Sequence, residues 1–265
     1  MAILATLALL GGVAGGWAIA RRTATGQKSL LVTALAAVAA VALCLLEQRR
    51  AWVLQVTQWE DWVYFARVPL WAAIALLLGL TWWKAAGVRR RAIGFLMGLF
   101  LSYTGVEVAA PAFLPLFARQ LSAEATGTGP YASEVTQSTG WSCGPAALAW
   151  ALRLQGLPAS EREMAVLSAT VPLHGASWPG MFRAARRGGL TATVRCPATW
   201  EQLVRAPKPL LADWRLNGVT SHMLVVIAAT RDTVTVGDPL CGEMTYTRDE
   251  YMSRWQRGLM TLQEP

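Results

Sequence analysis

Charge is what this sequence has least of. Only 15% of its 265 residues are Asp, Glu, Lys or Arg, and 54% are hydrophobic; an ordinary soluble chain carries about 25% charged residues. That shortage excludes a chain that is soluble throughout and implies a membrane portion. Histidine and cysteine are scarce too, at 2 and 4 residues. No C-x-x-C or H-x-x-x-H spacing occurs among them, which argues against a metal site; no cofactor is expected either. The formal charge of +8 is uneven: residues 1–119 hold 11 Lys/Arg against 4 Asp/Glu, and residues 120–265 hold 13 against 12. The basic excess sits as short clusters between apolar runs, the pattern of cytoplasmic membrane flanks and not of a nucleic-acid surface.

Four apolar stretches, at about 1–20, 29–46, 62–83 and 92–118, each approach the ~20 residues a helix needs to cross a bilayer. Trp52, Trp59, Trp62, Trp82 and Trp83 fall near their ends, as interfacial aromatics do. The first stretch ends in a cleavage-like Ala-Ile-Ala, yet no positive residue precedes it, and Arg21, Arg22 and Lys28 follow at once. It reads as an uncleaved span. Segments 21–28 and 84–91 together hold 7 Lys/Arg, against 4 in 47–67 plus Arg119. Positive charge stays inside, so the expectation is a multi-pass protein of a bacterial inner or plasma membrane, with its C-terminal domain on the extracytoplasmic side.

Residues 120–136 turn to Ser, Thr, Gly, Ala and Glu, a linker composition leading to a domain over 137–265. There, helices are expected first: CGPAALAWALRL with Pro145 in its first turn, ASEREMAVLSA with Ser160 three residues before Glu163, and MFRAARRGG. Strands follow at 190–195, 209–213, 222–229, 233–238 and 243–247, the third and fourth forming a hairpin around Thr230–Asp232. An amphipathic segment, RDEYMSRWQRGLM, closes the domain. Helices followed by an antiparallel sheet make an α+β fold.

Cys143 stands at the first of these helices, where free N–H groups and the positive dipole end favour a thiolate. Gly144 beside it leaves the backbone open to a substrate. Of the two histidines, His222 opens a strand, so the sheet can hold its ring as a base. Asp238 ends the partner strand of the hairpin, where it can reach the imidazole and fix its tautomer. Gln137, six residues before Cys143, offers a neutral amide donor for an oxyanion, with the backbone N–H of Cys143. His174 lies in a loop with no acid at a useful spacing. Cys196 and Cys241 both fall in the sheet region, where an oxidising compartment would permit a disulfide; Cys44 lies within a span.

The order of these blocks resembles a known family. Q-x5-C-G-P-A at 137–146 is followed by GASWPGMFRAARRGGL at 175–190, PLLAD at 209–213, HMLVV at 222–226, G-D-P-x-x-G at 237–242 and W-x-x-G at 255–258. Together they resemble the bacteriocin-processing, or double-glycine, cysteine peptidases, over about residues 131–262. The resemblance implies a papain-like fold with Cys143 as nucleophile, His222 as base, Asp238 as third member and Gln137 in the oxyanion hole. Such domains usually open export transporters, but here no Walker A motif follows and a membrane region precedes, so the exporter role does not transfer.

The expected activity is a membrane-anchored cysteine peptidase that cleaves a peptide or protein near the bilayer through an acyl-enzyme. Acyl transfer by the same residues is a related reading. The alternative is a non-catalytic peptide-binding module serving neighbouring export machinery.

Overall fold

The structure, a computed structural model, describes residues 86–124, 133–172, 175–217 and 220–264, with Ile74, Ala75, Leu78 and Trp82. The chain divides into two compact units, and residues 112–265 belong to one of them. The apolar stretches 1–20 and 29–46, most of 62–83, Cys44 and His174 lie outside the described residues. The fourth stretch falls within α1 (Gly87–Ala118). Among the described residues no helix is long and apolar enough to cross a membrane.

Three helices come first in the domain. α2 (Cys143–Leu154) is buried continuously from Gly144 to Leu152, as befits a helix apolar on every side. Its Pro145 sits in the first turn, where a missing N–H is harmless. α3 (Glu161–Ser168) is capped as expected, the Ser160 hydroxyl accepting the Glu163 N–H. α4 (Trp178–Arg187) starts three residues before the expected Met181, because Ser177 caps Gly180 N and Pro179 fits the first turn.

The sheet is antiparallel, in the order β1-β6-β2-β3-β4-β5. Its strands are β1 (Thr191–Arg195), β2 (Leu210–Arg215), β3 (Ser221–Ala229), β4 (Thr233–Asp238), β5 (Gly242–Thr247) and β6 (Trp255–Gln263). Five of them are the anticipated ones, and β3–β4 is the anticipated hairpin. β6 was not anticipated: the closing amphipathic segment splits into a short helix, Arg248–Arg254, and this strand. Another short helix, α5 (Trp200–Arg205), was also not foreseen; a Thr199–Gln202 capping box starts it. In chain order the Arg248–Arg254 helix is α6.

Alternate side chains of the strands enter two cores. On one face α2, α3 and α4 pack against Val194, Leu211, Val225 and Met260. On the other, α5 and α6 bring Trp200 and Tyr251 onto Trp214, Trp255, Leu224 and Val236, with Tyr251 5.1 Å from the Trp214 ring centroid. The disulfide between Cys196 and Cys241, which the sequence left open, is not formed in this strand order. Cys196 follows β1 at one edge, Cys241 lies in the β4–β5 turn near the other, and neither is in a disulfide. Four strand intervals of about 4.8 Å separate β1 from β4, roughly 19 Å against the ~7 Å limit between bridged Cα atoms. Leu121 and Val135, from the linker-like segment, are buried.

Candidate active site

Hairpin register brings His222 to Asp238. Val225 faces Gly237, so the next residues, Leu224 and Asp238, are opposed. His222 lies two residues nearer the start of β3, close to the end of β4 that carries Asp238. Its Nε2 lies 2.7 Å from Asp238 Oδ1, and both side chains are buried. The same carboxylate oxygen accepts the Leu240 N–H at 2.8 Å, while the Cys241 N–H bonds the Asp238 carbonyl and closes the turn.

The helix layer supplies the third group. α2 packs on β3, and the Cys143 thiol at its start is among the groups that act on the His222 ring. Because Nε2 is engaged by Asp238, Nδ1 is the nitrogen left for the sulfur. Burial pulls the His222 pKa down, but the bond to Asp238 and the influence of Cys143, with the charges of both, overcome it and raise the value to about 9. The net direction favours the cationic ring. Burial pushes the Asp238 carboxyl up, yet its bonds from His222 and from Leu240 N–H hold it below the ordinary range.

The amino end of α2 is left open. Ser142 occupies the N-cap position, but its hydroxyl makes no cap bond to the helix. Instead, fully buried, it accepts from the Thr139 N–H at 3.2 Å, bonds the Thr139 hydroxyl at 2.8 Å and donates to the Thr139 carbonyl. Among the described residues the Cys143 and Gly144 N–H groups thus keep no side-chain partner, which suits them to a developing oxyanion. Sequence reasoning passed over Ser142, because a serine before a helix reads as an ordinary cap.

Gln137 joins this network from the other side. Its backbone N–H donates to the Pro239 carbonyl at 2.9 Å, beside Asp238. Its Nε2 donates to Thr139 O at 2.7 Å, and its buried Oε1 has no hydrogen-bond partner among the described residues. Bonds thus join three of the four anticipated residues, Gln137 to the Asp238 turn and Asp238 to His222, and Cys143 acts electrostatically on the same ring. Among the described residues no cluster of His, Cys, Asp or Glu is placed to hold a metal ion.

Two glycines set the spacing. A Cβ on Gly144 would fall 2.6 Å from Ala176 Cβ and 3.2 Å from Met181 Sδ. Its expected role, admitting a substrate, is therefore replaced by a packing role: it lets the loop before α4 close on α2. A Cβ on Gly237 would fall 2.8 Å from the Trp150 ring, so Trp150 of α2 rests directly on β4, one residue before Asp238.

The model of the family described as Peptidase C39 matches residues 132–265, half of the chain. The chain belongs to the Peptidase C39 family. Its antiparallel sheet with packed helices is the papain-like C39 fold, and the family is one of cysteine peptidases and their homologues. An uncharacterized protein of Methanothermobacter marburgensis is 34% identical over 122 residues, covering 43% of this chain and 77% of the relative. One from Methanothermobacter thermautotrophicus is 32% identical over 138 residues, covering 49% and 88%. Among solved structures, the C39 domain is similar to the peptidase domain of Streptococcus ComA, a bifunctional ABC transporter of a quorum-sensing pathway: 22% identity, TM-score 0.46, 49% of this chain and 97% of that one. It is also similar to a double glycine motif protease from an AMS/PCAT transporter, in complex with its leader peptide: 20% identity, TM-score 0.45, 55% and 99%.

Proposed function

We propose that the chain is a membrane-anchored cysteine peptidase that hydrolyses a peptide or protein substrate through Cys143, His222 and Asp238. The observation that carries this reading is the 2.7 Å bond from His222 Nε2 to Asp238, on a ring whose charged form Cys143 also favours, within a C39 domain. The Cys143 thiolate attacks the scissile carbonyl carbon, forming a C–S bond as the carbonyl electrons move onto oxygen. The α2 amino end and the Gln137 amide donate to that oxyanion. On collapse the C–N bond breaks and the His222 imidazolium gives its proton to the leaving amine. His222, now neutral, then takes a proton from water, whose oxygen attacks the thioester carbonyl; the C–S bond breaks and a carboxylic acid is released. Asp238 stays ionised throughout and keeps the ring oriented.

The anchor is assigned to residues 1–119, with 120–136 leading to the catalytic domain at 137–265. Its support is compositional: apolar stretches of near-spanning length with Arg clusters between them. The charge count favours an extracytoplasmic catalytic domain, and labelling of an exposed engineered cysteine in intact cells, with an impermeant reagent, tests that side.

The catalytic claim is tested by iodoacetamide alkylation of Cys143 across pH 5–9, with Cys44, Cys196 and Cys241 replaced by serine. In His222→Ala the rate at pH 7 should fall at least about tenfold. Equal rates across the range would sink the peptidase reading.

A further inference from the structure

Glu161 is an acid with no exposed surface at the first position of α3, and the mechanism above makes no use of it. A buried carboxylate is tolerated only where donors surround it. Its donors come from two distant places. Oε1 accepts the Ser138 N–H at 2.8 Å, and Oε2 accepts the Ser138 hydroxyl together with the Ser122 N–H at 3.0 Å. Ser138 directly follows Gln137. The peptide before Gln137 is held by Pro239 O and the peptide after it by Glu161. Both backbone units that fix where the Gln137 side chain leaves the chain are therefore pinned, the second, among the described residues, through this carboxylate. The same residue ties in Ser122, four residues beyond the end of α1. The neighbouring Arg162 reinforces that tie with bonds to the carbonyls of Leu121 and Arg119.

We propose that Glu161 is a positioning residue that sets the Gln137 loop for oxyanion binding and couples it to the segment leaving α1. This rests on the peptidase reading of the site. Positions of oxyanion donors matter on a scale below 1 Å, and loss of the Ser138 anchor frees the loop on one side of Gln137.

Two reagents on the full-length chain separate positioning from general support, each rate taken as the part that Cys143→Ala abolishes. With 4-nitrophenyl acetate the thiolate forms a C–S bond through a tetrahedral oxyanion, and the C–O bond to 4-nitrophenolate breaks. With iodoacetamide a C–S bond forms as iodide leaves, and no oxyanion arises. Glu161→Gln should slow acetylation about tenfold or more and leave alkylation within about twofold. Ser138→Ala should act likewise and Ser138→Thr, which keeps the hydroxyl, should restore the rate; this pair decides the matter if Glu161→Gln does not fold. Acetylation unchanged in Glu161→Gln and Ser138→Ala, but slowed in Gln137→Ala, overturns the positioning role and leaves the peptidase reading intact. A parallel fall with both reagents also overturns it, since that marks mere structural support. No effect of Gln137→Ala on acetylation removes the oxyanion role, and the inference with it.

Discussion

Gly237→Ala tests whether the helix-to-strand contact sets the catalytic geometry. The added Cβ would lie 2.8 Å from Trp150 Cζ2 and 2.9 Å from both Cε2 and Cη2. Carbon atoms in contact rest at about 3.5 Å, so a gap of roughly 0.7 Å must open. Neither neighbour gives easily. Trp150 is 3% exposed and surrounded by core side chains, while β4 is bonded on both sides by β3 and β5. The adjustment falls to α2 as a whole, which carries Cys143 at its start. Overpacking of this kind costs about 1–3 kcal/mol, which for a domain of this size lowers Tm by roughly 4–12 °C. A shift of about 0.7 Å between nucleophile and base should slow Cys143 alkylation at pH 7 by tenfold or more. Thermal unfolding followed by circular dichroism reads the first effect and mass-spectrometric alkylation the second. Gly140→Ala is the stability control, because its Cβ meets nothing within 4 Å. A Gly237→Ala protein that matches wild type in Tm to about 1 °C and in alkylation rate would refute the argument that this contact fixes the site.

Two further predictions concern pH. Asp238→Asn removes the strongest influence raising the His222 pKa from 6.5 to about 9 and leaves burial to depress it; the alkaline limb of Cys143 acetylation should move down by at least about one pH unit, and an unmoved limb would mean that Asp238 does not hold the proton on the ring. Asp213 is pushed from 3.8 to about 6 by burial, against the opposing Gly258 N–H bond. Its native state binds the extra proton between those values, so stability falls as pH rises through that window and the full penalty stands above it. The interval corresponds to roughly 3 kcal/mol at most. Asp213→Asn cannot ionise and keeps an oxygen for Gly258 N–H, so its Tm should exceed wild type at pH 8 and the advantage should shrink at pH 4; a gap independent of pH would contradict the assignment.

The sequence displayed the parts of the site that depend on local pattern. Cys143 could be placed because a proline-tolerant helix start follows it, and His222 and Asp238 because a short turn at Thr230–Asp232 joins their strands. What it hid depends on distance along the chain. Glu161 reaches partners 23 and 39 residues away, and no local spacing announces such a contact. β6 was masked by its own irregularity: Arg257 adopts a positive φ of 68°, and the pairing with β2 shifts between Ala212 and Trp214. Such a bulge breaks the period-two alternation by which a strand is recognised. The role of Gly144 was misread for a related reason. A glycine beside a nucleophile suggests room for a ligand, but here the room is taken by Ala176, more than thirty residues downstream.

The position of β6 also bears on how the domain is made. This strand lies between β1 and β2, yet it is the last of the six to leave the ribosome. Until residues 255–263 emerge, β1 has no strand to pair with and β2 shows a bare edge lined by Leu210, Leu211 and Ala212. Nascent chains short of that point can build the β3–β4 hairpin but cannot close the sheet, and their open edge is a template for pairing with other chains. Biosynthesis therefore holds a hydrophobic, unpaired intermediate for as long as the last strand takes to appear, and a chaperone that shields strand edges would act on this protein in that interval.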